Sequence, residues 1–90
     1  MEMQEFKYTK ANGEVSERAV IVTQKPQKLL AGIDVTSMDS DEFAKFTKRY
    51  REVLDSNKQA MANLMAEFDL THNYRQFKPE GMSDVKSEWV

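Results

Sequence analysis

Two rhythms divide the chain. Up to Thr36, apolar and polar residues alternate with a period of two; from Phe43 to Phe68, apolar residues recur every three or four; near Tyr74 the alternation resumes. In the first region two β-prone runs flank Ala11-Asn12-Gly13-Glu14. Both central residues of a type I′ turn need positive φ, which Asn tolerates and Gly adopts freely. The pattern therefore predicts an antiparallel hairpin of strands 4–9 and 14–23, turned by Asn12-Gly13. Phe6 and Tyr8 share one face of its first strand. On the second, Val15, Ala19 and Ile21 fall on one side, and Ser16, Arg18, Val20 and Val22 on the other. Its second half is thus apolar on both faces, as in a strand covered on both sides. Pro26, within Gln24-Lys25-Pro26-Gln27, cannot donate to a ladder and ends this run. A third strand is expected over 28–35, with Gly32 marking a bulge or a close backbone approach, to give a bent three-stranded meander.

The period changes at Thr36-Ser37-Met38-Asp39-Ser40. Asp39 followed three residues later by Glu42 reads as a capping box at a helix start. The stripe of Phe43, Phe46, Tyr50, Val53, Leu54, Met61, Leu64, Met65 and Phe68 predicts one long helix over about 39–70. The alternative is two helices that break near Asp55-Ser56-Asn57, where Ser56 and Gln59 offer a second capping box. Beyond Thr71-His72-Asn73, short strands are expected at 74–78 and 82–89, separated by Pro79-Glu80-Gly81. Val85 and Trp89, alternating with Asp84, Lys86 and Glu88, suit an edge strand. The expected architecture is α+β: about five antiparallel strands with a helix inserted before the last two, in a single domain spanning 1–90.

A chain of 90 residues has room for one domain. Its longest apolar runs, Ala19 to Val22 and Leu29 to Ile33, fall far short of the ~20 residues of a membrane helix. The acidic start Met1-Glu2-Met3 is unlike a basic leader, so the expected location is cytoplasmic, with no membrane partner. The absence of cysteine removes disulfides and thiolate chemistry. A net charge of −2 argues against a basic coat for duplex DNA.

The catalytic search is short. His72 is the single histidine, with no second ligand at metal spacing, and the three glycines form no phosphate loop. Neither a metal, a cofactor nor an enzymatic activity is expected. On the helix, Asp41 with Lys45, Lys48 with Glu52 and Arg51 with Asp55 are spaced for i,i+4 pairing and read as a solvated face. Met61, Leu64, Met65 and Phe68 could fill the core, or could form an interface for self-association or a partner protein. Outside the helix, Tyr8, Arg18, Tyr74, Arg75 and Lys78 combine cations with aromatic rings, the groups that phosphate contact and base stacking require. They are the candidate ligand-binding residues.

The order Phe6-x-Tyr8, Gly13, Ser16-x-Arg18-x-Val20, Leu29-Leu30-Ala31-Gly32-Ile33-Asp34 and Tyr74-Arg75-Gln76-Phe77-Lys78 before Met82 resembles the core of a WYL domain over roughly half the chain. The resemblance implies a small Sm-like β-barrel that senses ligands, often nucleic acid or nucleotides, and it carries that role to Arg18 and Arg75. The family's Trp-Tyr-Leu stretch is replaced by Lys28-Leu29-Leu30. A free-standing barrel without a DNA-binding domain is similar to small accessory proteins of phages or mobile elements. The leading expectation is a non-enzymatic regulatory module, a modulator or inhibitor acting on a host or partner protein. The alternative is a sensor that binds single-stranded nucleic acid or a nucleotide through Arg18 and Arg75.

Overall fold

The structure, a computed structural model, describes residues 1–24 and 29–89. The punctuation at Lys25-Pro26-Gln27, Lys28 at the head of the expected third strand, and Val90 lie outside the described residues. The chain is α+β. Three strands, β1 (Glu2–Thr9), β2 (Val15–Gln24) and β3 (Leu30–Asp34), precede helices α1 (Ser40–Val53) and α2 (Lys58–Glu67). Strand β4 (Tyr74–Phe77), a 3-10 turn (Pro79–Gly81) and β5 (Met82–Trp89) follow. Two compact units are distinguished, one formed by the strands before Thr36 and after Tyr74, the other by Ser37–Asn73.

The strands form one antiparallel sheet in the order β4-β3-β2-β1-β5, with β4 and β5 as its edges. The β1–β2 hairpin forms through a different turn from the one its Asn-Gly pair predicts. Lys10 and Glu14 close a three-residue loop: the Lys10 amide donates to the Glu14 carbonyl at 2.8 Å and the Gly13 amide to the Lys10 carbonyl at 2.9 Å. Only Gly13 has positive φ, at 87°, while the Asn12 side chain accepts from the Glu14 amide at 3.0 Å. A turn over Ala11-Asn12 followed by a left-handed glycine matches the strand twist as well as a type I′ turn does, and it spares Asn12 the strained conformation.

Val20 and Ile21, neighbours on opposite faces of β2, are both fully buried. On one face Phe6, Val20, Leu30 and Phe77 form a core, with Tyr8, Val22 and Met82 packed against it. The Phe77 ring meets Phe6 and Tyr8 edge-on, at centroid distances of 5.1 and 5.0 Å. Phe77 lies on β4 and Tyr8 on β1, with β3 and β2 between them in the sheet, so these contacts require a strongly curled sheet. At Gly32 the strands approach closely: a Cβ there would stand 2.2 Å from the Ile21 carbonyl oxygen, beside a register shift between Val22 and Gln24. No residue but glycine allows that approach.

In the helical unit the single predicted helix is interrupted. Asn57 leaves helical geometry to cap α2, and its side chain accepts from the Ala60 amide at 2.9 Å. Asn57, rather than Ser56, is the cap because its short amide reaches the third amide of the new helix. Asp39 caps α1 as its spacing predicts, accepting from the Glu42 amide at 2.8 Å. Helix α2 stops at Glu67, short of Leu70: Asp69 takes φ of 57°, and the Leu70 amide turns back to the Met65 carbonyl at 2.7 Å. The Phe46 and Phe68 rings pack edge-on at 5.3 Å. The three i,i+4 pairs read from the sequence are not ion pairs among the described residues; Arg49 instead contacts Glu52 on its own helix and Glu67 on α2, the latter at 2.8 Å.

Candidate ligand site

Register decides which side chains converge on the curled face. Phe6 pairs with Arg18, Val20 with Asp34, and Gly32 with Arg75. Alternation therefore places Arg18, Asp34 and Arg75 on the face that carries Phe6, Val20 and Phe77. Gly32, between Ala31 and Ile33 on β3, is the register partner of Arg75, whose Nε lies 3.6 Å from Asp34 Oδ2.

Asp34 is the hub. Its side chain is 5% exposed, and Oδ2 accepts from Arg18 Nη1 at 2.7 Å and lies 3.6 Å from Arg75 Nε. Its other oxygen, Oδ1, accepts from the Thr36 amide at 2.9 Å and the Thr36 hydroxyl at 2.5 Å. Arg18 is held from a second side, because its Nε donates to Ser16 Oγ at 3.2 Å. Arg75 is held loosely. Its side chain is 51% exposed, and among the described residues its terminal Nη groups make no hydrogen bond. Two guanidinium groups thus share one carboxylate, which leaves the cluster with a net positive charge and one arginine with most of its donors free.

A pocket of about 350 Å³ opens over this pair. Among the described residues, Lys10, Arg18 and Arg75 supply three cations to its lining, Tyr8, Tyr74 and Phe77 three aromatic residues, and no carboxylate lines it. The local charge is therefore opposite in sign to that of the chain. Lys10 is only weakly engaged, 3.9 Å from Glu14. A larger pocket of about 570 Å³ lies along β1, β2 and β5, where Glu5, Glu17 and Asp84 interleave with Lys7, Lys86 and Arg18, which lines both pockets. Lys7 and Asp84 pair there at 3.4 Å, and that mixture selects no ligand charge.

Of the five ligand residues read from the sequence, Tyr8, Arg18, Tyr74 and Arg75 line this pocket. Tyr8 also ties β1 to the end of β4, because its hydroxyl accepts from the Lys78 amide at 3.3 Å. Tyr74 borders the pocket, but it pairs with Ile33 on the other face of the sheet, and its hydroxyl accepts from Thr23 at 2.9 Å. The Lys78 side chain is exposed and does not line the pocket. Of the four helix residues read as an interface, Leu64 and Met65 are buried, and Met61 and Phe68 are half-buried. His72 is exposed, and no group of three or more metal-ligating side chains occurs among the described residues.

The residue that sequence reasoning missed is Asp34. Its signal was present in the alternation, which puts it on the Arg18 side of the meander once β2 and β3 are paired at Val20. No family model matches the chain, and no curated protein and no solved structure is significantly similar to it.

Proposed function

We propose that this protein is a non-enzymatic binding module that holds a phosphate-bearing ligand, a nucleotide or a short single nucleic-acid strand, between Arg18 and Arg75. The observation that carries this reading is the pocket lining: among the described residues, three cations and no carboxylate, in a chain whose net charge is negative. Arg18, fixed by Asp34 and Ser16, presents a preorganised fork, and Arg75 swings its free Nη groups onto the same phosphate. The exposed part of the Tyr8 ring offers a stacking surface for a base. The strand order β4-β3-β2-β1-β5, the 3-10 turn between the two edge strands and the curl that seats Phe77 on Tyr8 support a small Sm-like barrel, and with it the WYL-like reading. Helix-mediated capture of a partner protein is less favoured, because Leu64 and Met65 are already buried. A regulatory role as a phage or mobile-element accessory rests on the resemblance alone.

With one phosphate held by both arginines, the logarithm of single-strand affinity falls against the logarithm of salt with a slope of about −0.7. Fluorescence anisotropy with a labelled oligothymidylate measures that slope, and calorimetry with a mononucleotide tells a strand site from a nucleotide site. Arg75→Ala abolishes binding and leaves the fold intact, since this side chain is half exposed. Absence of saturable binding of either probe at low salt overturns the proposal.

A further inference from the structure

Strand β5 pairs with β1 along one edge only, and its other edge is the end of the sheet. Proteins commonly blunt such edges with short strands, charges or bulges. The opposite edge follows that rule, since β4 has four residues, whereas β5 has eight. A register shift opposite Glu5/Lys7 and the positive φ of Asp84, 54°, disrupt the first half of β5. From Val85 to Trp89 the strand runs on in unbroken register with β1 from Lys86 onwards, and it is exposed throughout. Val85 is 49% and Trp89 77% exposed. Lys86 and Glu88 form no ion pair among the described residues.

We propose that this edge pairs antiparallel with the β5 edge of a second copy of the chain, about a two-fold axis at Ser87. In that register Lys86 of each copy stands opposite Glu88 of the other, and Val85 stands opposite Trp89. Both charge pairs are complementary, and both apolar pairs fall on one face, as cross-strand pairing requires. The neighbouring symmetric registers fail. Centring on Lys86 sets that lysine against itself and Asp84 against Glu88; centring on Val85 runs the ladder through Asp84, which is not extended and whose carboxylate is held by Lys7. A two-fold contact is self-limiting, so it caps the edge instead of propagating it. This inference is independent of the arginine pocket.

Sedimentation equilibrium over a concentration series up to millimolar tests it. The expected mass rises towards twice 10.5 kDa. Lys86→Glu and Glu88→Lys each set like charges opposite one another, and each variant stays monomeric. An equimolar mixture of the two regains the dimer mass, as does the double variant, because both restore opposite charges at each pair. Lys86 also faces Glu5 across β1, so circular dichroism checks that its variant is folded; Glu88→Lys lacks that complication. A wild-type chain that stays monomeric throughout, single variants that dimerise like wild type, or a mixture that fails to recover the dimer each overturns the proposal.

Discussion

Replacing Asp34 with Asn separates the two roles of the arginine cluster, because stability and ligand affinity should move in opposite directions. The substitution keeps the volume and leaves an oxygen to accept from the Thr36 amide, but it removes the charge that Arg18 meets at 2.7 Å and Arg75 approaches at 3.6 Å. Breaking a fully buried pair costs about 3–5 kcal/mol. Here Arg18 is 23% and Arg75 51% exposed, so water recovers part of that cost, and a loss of about 2 kcal/mol is expected. For a domain of this size that lowers Tm by about 8–16 °C. A phosphate held by the same guanidinium groups is relieved of a like charge. At a separation of roughly 6 Å, that repulsion is about 0.7 kcal/mol in bulk water and about 2.8 kcal/mol at an effective dielectric of ~20. Phosphate affinity therefore rises, by about tenfold between those limits. Thermal melts give the first quantity and calorimetric titration with a mononucleotide the second. An unchanged Tm, or an affinity that falls together with stability, refutes the reasoning: the carboxylate would then not be a structural counter-ion, or its hold on Arg18 would outweigh the charge that it sets against the ligand.

Other substitutions test the scaffold. Gly32→Ala drives a methyl group into the Ile21 carbonyl and Val20 Cγ1, and it should cost at least about 3 kcal/mol in denaturant unfolding, because the obstacle is backbone. Asn57→Ala removes the α2 cap and should cost about 1 kcal/mol, with amide exchange accelerated in the first turn of α2. Leu64→Asp puts a charge at a site 1% exposed and should unfold the helical unit, seen as a loss of ellipticity at 222 nm; a folded variant would mean that the stripe is not core.

The sheet was legible because alternation is a backbone property that hardly depends on tertiary context. Phe6, Tyr8 and Val20 declared their face, and Gly32 its close approach. What local pattern could not reveal was anything set by competition between nearly equal alternatives. A three-residue and a two-residue loop both suit Asn12-Gly13, and only the pairing of Lys10 with Glu14 selects one. The apolar stripe runs through Asp55-Ser56-Asn57 without losing its period, so the helix break there rests on the Asn57 cap, a contribution of about 1 kcal/mol. In the candidate site, the two arginines were recognisable as cations beside aromatic rings. Tyr74 and Lys78 belong to the same class of groups, yet Tyr74 reaches the pocket border from the other face of the sheet, and the end of β4 carries Lys78 away from it. Asp34 escaped notice because a lone acid on an apolar strand gains meaning only once β2 and β4 bring an arginine to it from each side.

The most direct test of phosphate binding between Arg18 and Arg75 is a nuclear magnetic resonance titration with a mononucleotide, observing the side-chain Nε–Hε signals of every arginine. Saturable shifts confined to Arg18 and Arg75, accompanied by the amides around Tyr8 and Gly32, are expected. Unmoved signals from both arginines, or larger shifts at Arg49 and Arg51 on α1, would contradict it.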